Sequence, residues 1–214
     1  RRRRGAGGLA GRFCLSQGQV GTGGSRLSVQ RKLFDQVLGR LAAIAGDLGI
    51  GPGLDPTTQI NPLVSARQQE RVLGMIESGV AEGASVVCGG ARQGETGFYV
   101  QPTILADVTP GMQVVREEIV GPVLVAKPFD DLDEAVRLAD ASIHGRGRSM
   151  WSNDLRQVMD LVPRIKAGTV WVNAHNLLDP SMPFGGFKQS GIGREMGHAA
   201  IEAYTENKSV CIAY

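Results

Sequence analysis

The sequence predicts an α/β domain with a mostly parallel, twisted sheet and helices on both faces. Three observations carry that expectation. Helical stripes alternate with short apolar runs along most of the chain. One of those runs, Pro122-Val123-Leu124-Val125-Ala126, is apolar at every position, as strands covered on both faces are. A length of 214 residues, with 42% hydrophobic and 21% charged content, suffices for a sizeable core.

The first half of the chain supplies most of the elements. Positions 1–12 are low in complexity, and Arg1–Arg4 form a basic run. This stretch reads as a disordered or non-native start, with a basic interaction tag as the alternative. A glycine-rich segment, Gln17 to Arg26, then leads into the strand Leu27-Ser28-Val29-Gln30. Leu33, Phe34, Val37, Leu38, Leu41, Ile44 and Leu48 define a one-sided helix, ended by Gly49-Ile50-Gly51-Pro52-Gly53. Leu54 to Val64 is extended, as its prolines favour. Ser65 offers an N-cap to a second helix, with Val72, Leu73, Ile76 and Val80 on its apolar face. Ser85-Val86-Val87-Cys88 is a short strand stopped by Gly89-Gly90. Phe98-Tyr99-Val100 and Thr103-Ile104-Leu105 are strand-like, with Pro102 marking an edge or a bend.

Pro122 to Ala126 is the next strand, and Leu132 to Ala139 a third helix with Asp131 or Asp133 near its positive end. Met150-Trp151-Ser152 is a strand candidate. Leu155 to Ile165 is a fourth helix, limited by Pro163 and capped by Gly168. Thr169 to Asn173 is a further strand that places Trp171 in the core. A glycine-rich loop, Phe184 to Arg194, precedes a short helix from Glu195 to Tyr204 and a terminal strand from Ser209 to Ala213. With no hairpin partner nearby, that strand is expected to pair across a subunit interface. The expected organisation is a start at 1–12, an α/β domain at 13–190, and a return helix with an oligomerisation strand at 191–214.

The totals exclude several classes. The net charge of +2 owes much to Arg1–Arg4, so no general electrostatic case exists for nucleic acid. No apolar run reaches the ~20 residues of a membrane helix, and no signal-peptide pattern is present. Cys14, Cys88 and Cys211 are odd in number and fit neither a disulfide framework nor a zinc site. They point to a reducing, cytoplasmic setting. Cys88 and Cys211 sit in apolar runs and read as core or strand residues. His144, His175 and His198 share no metal-ligand spacing and receive neither a metal nor a catalytic role.

The segment Gln17-Gly18-Gln19-Val20-Gly21-Thr22-Gly23-Gly24-Ser25-Arg26 organises the chain. Its glycines let backbone N–H groups approach a ligand or a reacting oxygen. It resembles the nucleophile loop of the aldehyde dehydrogenase superfamily, Gln-Gly-Gln-x-Cys-x-x-Gly-Ser-Arg, with Gly21 at the cysteine position. Glu117-Glu118-Ile119-Val120-Gly121-Pro122 resembles that family's Glu-Glu-Ile-Phe-Gly-Pro motif. Gly168 to Asn173 is similar to the strand lining its substrate channel, and Pro183 to Glu195 to its C-terminal signature. Gly89-Gly90, Gln101-Pro102-Thr103 and Lys208-Ser209-Val210 follow in family order, so the resemblance covers about Phe13 to Tyr214. Ile60 to Ser65 and Lys208 to Cys211 look most like the phenylacetaldehyde dehydrogenases within it.

The resemblance implies a function: oxidation of an apolar or aryl aldehyde to a carboxylic acid with NAD or NADP. In the family a cysteine thiolate attacks the aldehyde, N–H groups and an asparagine hold the oxyanion, and a glutamate activates water. The resemblance assigns Glu118 to the nicotinamide ribose, Val120 to the place of a phenylalanine beside the nicotinamide ring, and Gln68 to the cofactor's surroundings. It assigns Leu178 and Phe184 to the substrate funnel. Ordinary alternatives stand beside these: a solvated acid at 118, a solvent-facing helix position at 68, packing at 178 and 184. Arg146 and Arg148 occupy a normally apolar turn, where anion binding is one reading. Cys14 would need a rebuilt loop to replace the nucleophile.

The first residue is Arg1 rather than Met, and the family's cofactor domain precedes the nucleophile loop, so the chain is expected to be a fragment lacking that domain. Alone it is then expected to be a homo-oligomer or aggregation-prone. The competing expectation is a catalytically inactive chain acting at most through oligomerisation.

Overall fold

The computed structural model describes residues 13–214, so the expected start at 1–12 lies outside the described residues. They form two compact units, one ending at Ser142 and one spanning Ile143–Tyr214.

The first unit is built on a four-stranded sheet. Its strands are β1 (Arg26–Gln30), β2 (Ser85–Cys88), β3 (Thr103–Ala106) and β4 (Val123–Phe129), in the order β1-β4-β3-β2. The β1–β4 and β3–β4 pairs are parallel and β2–β3 is antiparallel, so the sheet is mixed with parallel pairing predominant. The consecutive apolar run of β4 has the expected cause. Val123 and Val125 pack with Val72, Met75 and Ile76 on one face, while Leu124 and Ala126 pack with Leu38, Leu41 and Ala45 on the other.

Those partners come from helices α1 (Phe34–Gly46) and α2 (Ala66–Ala81), one on each face. The Ser65 hydroxyl accepts from the Gln68 N–H at 3.2 Å and caps α2 as its position predicts. A one-turn helix α3 (Gln113–Arg116) precedes the loop into β4, and α4 (Leu132–Asp140) follows that strand. Asp131 caps α4 by accepting from the Glu134 N–H at 2.7 Å. β3 is internal to the sheet, and Pro102 stands just before it, where no ladder hydrogen bond is asked of it. Phe98 to Val100 makes only an isolated bridge, Arg92 to Val100, instead of a strand.

The second unit carries β5 (His144–Gly145), β6 (Gly147–Met150), helix α5 (Leu155–Leu161), β7 (Thr169–Val172), β8 (Phe187–Lys188) and a one-turn helix α6 (Ala199–Glu202). β6 and β7 run parallel with α5 between them, and β5 pairs antiparallel with β8. Val158, Leu161, Ala167 and Trp171 are its buried apolar residues.

Three expectations need correction here. The strand predicted at Met150 to Ser152 lies at Gly147–Met150, because pairing with β7 begins at Gly147–Thr169 inside a stretch that looks like a turn. The return helix is one turn, Ala199–Glu202, instead of Glu195 to Tyr204. No strand forms at Ser209 to Ala213, and Cys211 is exposed there instead of lying in a core or strand. A lone extended segment has no ladder to join within one chain.

Candidate active site

The Gln17–Arg26 segment is a built loop. Ser16, Gln17 and Gly18 all take left-handed backbone angles, with φ of 50, 54 and 71°. Glycine is needed at 18 for a second reason, since a Cβ there would lie 1.9 Å from the Gly121 carbonyl oxygen. The Gln19 side-chain oxygen accepts from the Val64 N–H at 3.1 Å. Gln17, with its amide oriented to satisfy both of its ends, accepts from the Asn61 N–H at 3.2 Å. Gly21 lies exposed in a turn closed by Gly23 N–H to Val20 carbonyl at 2.9 Å.

The Glu117–Val120 stretch has no ladder of its own, and side chains satisfy its carbonyls; those of Gly121 and Pro122 accept from the Val123 and Thr103 N–H groups. Arg26, the last residue of the glycine-rich motif, donates to the Val115 carbonyl at 2.9 Å and to that of Glu117 at 2.7 Å. From α2, Gln68 donates to the Val120 carbonyl at 2.7 Å. Arg71, one turn on, donates to the Glu118 carbonyl at 2.8 Å and to that of Ile119. Val120 has φ of 58°, unusual for a β-branched residue. Gly121 presses on α2, where an added Cβ would lie 2.5 Å from a methyl of Val72.

The first unit therefore gathers four of the six predicted site residues: Gly21, Gln68, Glu118 and Val120. Leu178 and Phe184 belong to the second unit. Leu178 is half exposed at 51%, and Phe184 exchanges two backbone hydrogen bonds of 2.7 Å with Glu195. Arg71, and the carbonyl-holding role of the motif residue Arg26, escape a reading of the sequence because an arginine in a strand or on a helix does not announce a backbone partner. The available signal is an irregular loop whose carbonyls have to find donors. Gln68 is drawn to the loop backbone, so its contact is a positioning one.

The two neighbouring acids differ. Glu117 accepts from the Gln113 amide at 3.0 Å. Among the described residues the half-buried Glu118 carboxylate meets no donor. It is the one of the pair open to a ligand's hydroxyl groups.

Cys14 is no substitute nucleophile. It is 5% exposed, and burial first, then the neighbouring Cys88, push its thiol up to about 12. At neutral pH such a group is a thiol, while attack needs the thiolate. Cys88 is also raised, chiefly by burial. In the second unit, His175 Nδ1 lies 2.5 Å from the Ser149 hydroxyl, and its ring meets the Trp171 ring edge-on at 5.2 Å. Trp171 donates to the Leu177 carbonyl at 2.8 Å, which fixes the backbone beside Leu178. Arg148 donates to the His144 and Gly147 carbonyls, which gives it a structural use in the turn. Among the described residues no cluster of three or more His, Cys, Asp or Glu side chains could hold a metal, and no helix is long and apolar enough to cross a membrane.

The sequence profile of the aldehyde dehydrogenase family matches residues 4–210. The chain belongs to the aldehyde dehydrogenase family. It is 44% identical over 209 residues to a phenylacetaldehyde dehydrogenase of Pseudomonas fluorescens, covering 97% of this chain and 42% of that protein. It is 45% identical over 209 residues to a betaine aldehyde dehydrogenase of Rhizobium leguminosarum, covering 96% and 43%. The structure of an aldehyde dehydrogenase from Bacillus cereus in complex with NAD+ superposes with a TM-score of 0.95 at 42% identity, covering 98% of this chain and 43% of that one. The chain thus spans about two fifths of the length of these relatives. Their near-equal identities place it in the family without selecting one aldehyde.

Proposed function

We propose that this aldehyde dehydrogenase family chain carries the aldehyde-facing half of an NAD(P)+-dependent oxidation site, of the type that converts an apolar or aryl aldehyde to a carboxylic acid. One observation carries the reading. The glycine-rich loop, the Gln68–Arg71 face of α2 and the Glu118–Pro122 loop lock together through Gly18, Gly121, Arg26 and Arg71, inside a chain that matches the family along nearly its whole length.

The residues present fit the nicotinamide half of such a cofactor. The Glu118 carboxylate, without a partner among the described residues, suits a pair of ribose hydroxyls, and Val120 offers a small apolar contact beside it. The cofactor, when bound, supplies the hydride acceptor. The first unit's part is to hold Glu118 and to present the backbone N–H groups of the Gly21 turn; the second unit's part is to offer Leu178 and Phe184 as apolar residues suited to an aldehyde. Apolar residues at both positions suit an apolar or aryl aldehyde.

A second reading has its own support. Glycine at 21 has no side chain to attack with, and Cys14 is held as a buried thiol. On that reading the chain does not turn over and acts through self-association, for which the exposed Val210, Ile212 and Tyr214 of the tail offer apolar surface.

Incubation of the purified chain and of Gly21→Cys with NAD+ and phenylacetaldehyde, followed at the NADH absorbance, separates the two. The expected result is no NADH from the unsubstituted chain and, on Gly21→Cys, a hemithioacetal located by peptide mass at residue 21, apart from any adduct that the exposed Cys211 of both chains forms. NADH well above background from the unsubstituted chain would refute the assignment of residue 21 as the vacated nucleophile position.

A further inference from the structure

Arg71 belongs to no motif read from the sequence, yet its guanidinium takes two consecutive carbonyls of the Glu118–Val120 loop, with Gln68 taking the third. Those carbonyls have no ladder partner, and the loop ends on a valine at φ 58°. A β-branched residue stays in that region only where its surroundings over-determine it. The planar fork of arginine can hold two adjacent oxygens at once, which the single ammonium of lysine does less well. Downstream, Gly121 is wedged against Val72 and Gly18 against the Gly121 carbonyl.

We propose that Arg71 is a positioning residue. It holds the Glu118–Val120 backbone in its left-handed turn and so leaves the Glu118 carboxylate open as an acceptor for the vicinal hydroxyls of a ribose. The ribose part rests on the cofactor reading above; the backbone part does not.

The test uses the full chain, Arg71→Ala and Arg71→Lys, with a protease that cleaves after glutamate. Cleavage after Glu118 requires the loop to open, whereas cleavage after Glu77 requires α2 to open. Arg71→Ala is expected to speed cleavage after Glu118 by about tenfold, with cleavage after Glu77 unchanged. Arg71→Lys is expected to fall between. Equal rates at Glu118 in Arg71→Ala and the parent overturn the proposal. So does equal acceleration at Glu77, because that is the mark of a general loss of structure. The second arm titrates nicotinamide mononucleotide. Arg71→Ala and Glu118→Gln are each expected to weaken binding about tenfold. No binding by the unsubstituted chain overturns the ribose reading and leaves the protease arm to decide the positioning one.

Discussion

Gly121→Ala tests the architecture of the site most directly. A Cβ there would stand 2.5 and 2.8 Å from the two methyls of Val72 and 3.3 Å from its Cβ. Relaxed carbon contacts need roughly 3.5–4.0 Å. Gly121 is not among the residues with left-handed φ, so an alanine is opposed by space and not by backbone conformation. Val72 is fully buried, and a β-branched side chain in a helix has little freedom to turn aside. Overpacking of this kind costs about 1–3 kcal/mol. Val72→Ala removes two buried methyls and costs about 2 kcal/mol with the cavity it leaves. The double variant should cost little more than Val72→Ala alone, because the alanine at 72 vacates the space that the new methyl at position 121 needs. A coupling energy of about 1–2 kcal/mol is therefore expected. Urea unfolding of the four chains, followed by circular dichroism, measures it. Costs that add within ~0.5 kcal/mol, or a Gly121→Ala chain as stable as its parent, would show that the loop does not press on α2 as described.

The remaining predictions concern the thiols, Gly21 and the second unit. The folded Cys14 pKa lies at about 12 against an ordinary 9.0. Its stabilising contribution is thus complete below pH 9 and drains as pH rises toward 12, by about 1.4 kcal/mol per pH unit. The parent should lose stability more steeply than Cys14→Ala between pH 9 and 11; parallel curves would contradict the assignment. With a thiol reagent at pH 8, exposed Cys211 should react at once, and buried Cys14 and half-buried Cys88 only as the chain unfolds. Gly21→Cys, in an exposed turn, should shift stability by no more than ~0.5 kcal/mol, and a larger shift in urea unfolding would show hidden contacts at 21. Asp154 accepts from the Arg156 and Gln157 N–H groups at 3.0 and 3.2 Å. Asp154→Ala should therefore cost the second unit about 1 kcal/mol, read by thermal unfolding, whereas an unchanged midpoint would show that the cap is not formed.

Much of the first unit was legible in the sequence because its signals are local. Leu38, Leu41 and Ala45 lie on the buried side of α1, and Ser65 and Asp131 cap the helices that follow them. The consecutive apolar residues of β4 divide between two helices on opposite faces, as such a run demands. The second unit was less legible because its pairing is not local. Gly145-Arg146-Gly147 looks like a turn, and only β7 and β8, more than twenty residues on, make strands of its flanks. The expected tail strand at Ser209 to Ala213 is absent, since nothing in the described chain pairs with it. In the site, Gly21, Gln68, Glu118 and Val120 were legible through motif spacing. Arg71 was not, nor was the role of the motif residue Arg26, since their work is to satisfy backbone carbonyls that no side-chain pattern announces.

The frame around Gly21 and the chemistry expected at Gly21 are physically separate. The loop's shape depends on the left-handed turn at 16–18, on Gln17 and Gln19 reaching the Asn61 and Val64 amides, and on the fit of Gly18 against Gly121. Arg26 and Arg71 then tie the same frame to the Glu118 loop through carbonyl oxygens. Residue 21 enters none of these contacts. On the proposed assignment of residue 21, a glycine there would remove a nucleophile without removing a single hydrogen bond that defines the loop, so the fold is independent of the reaction. The same separation holds at Glu118. Its backbone is held by Arg71, while its carboxylate takes no part in holding the loop. Stability therefore gives no reason for an acid at 118, and the proposed ribose contact would supply one.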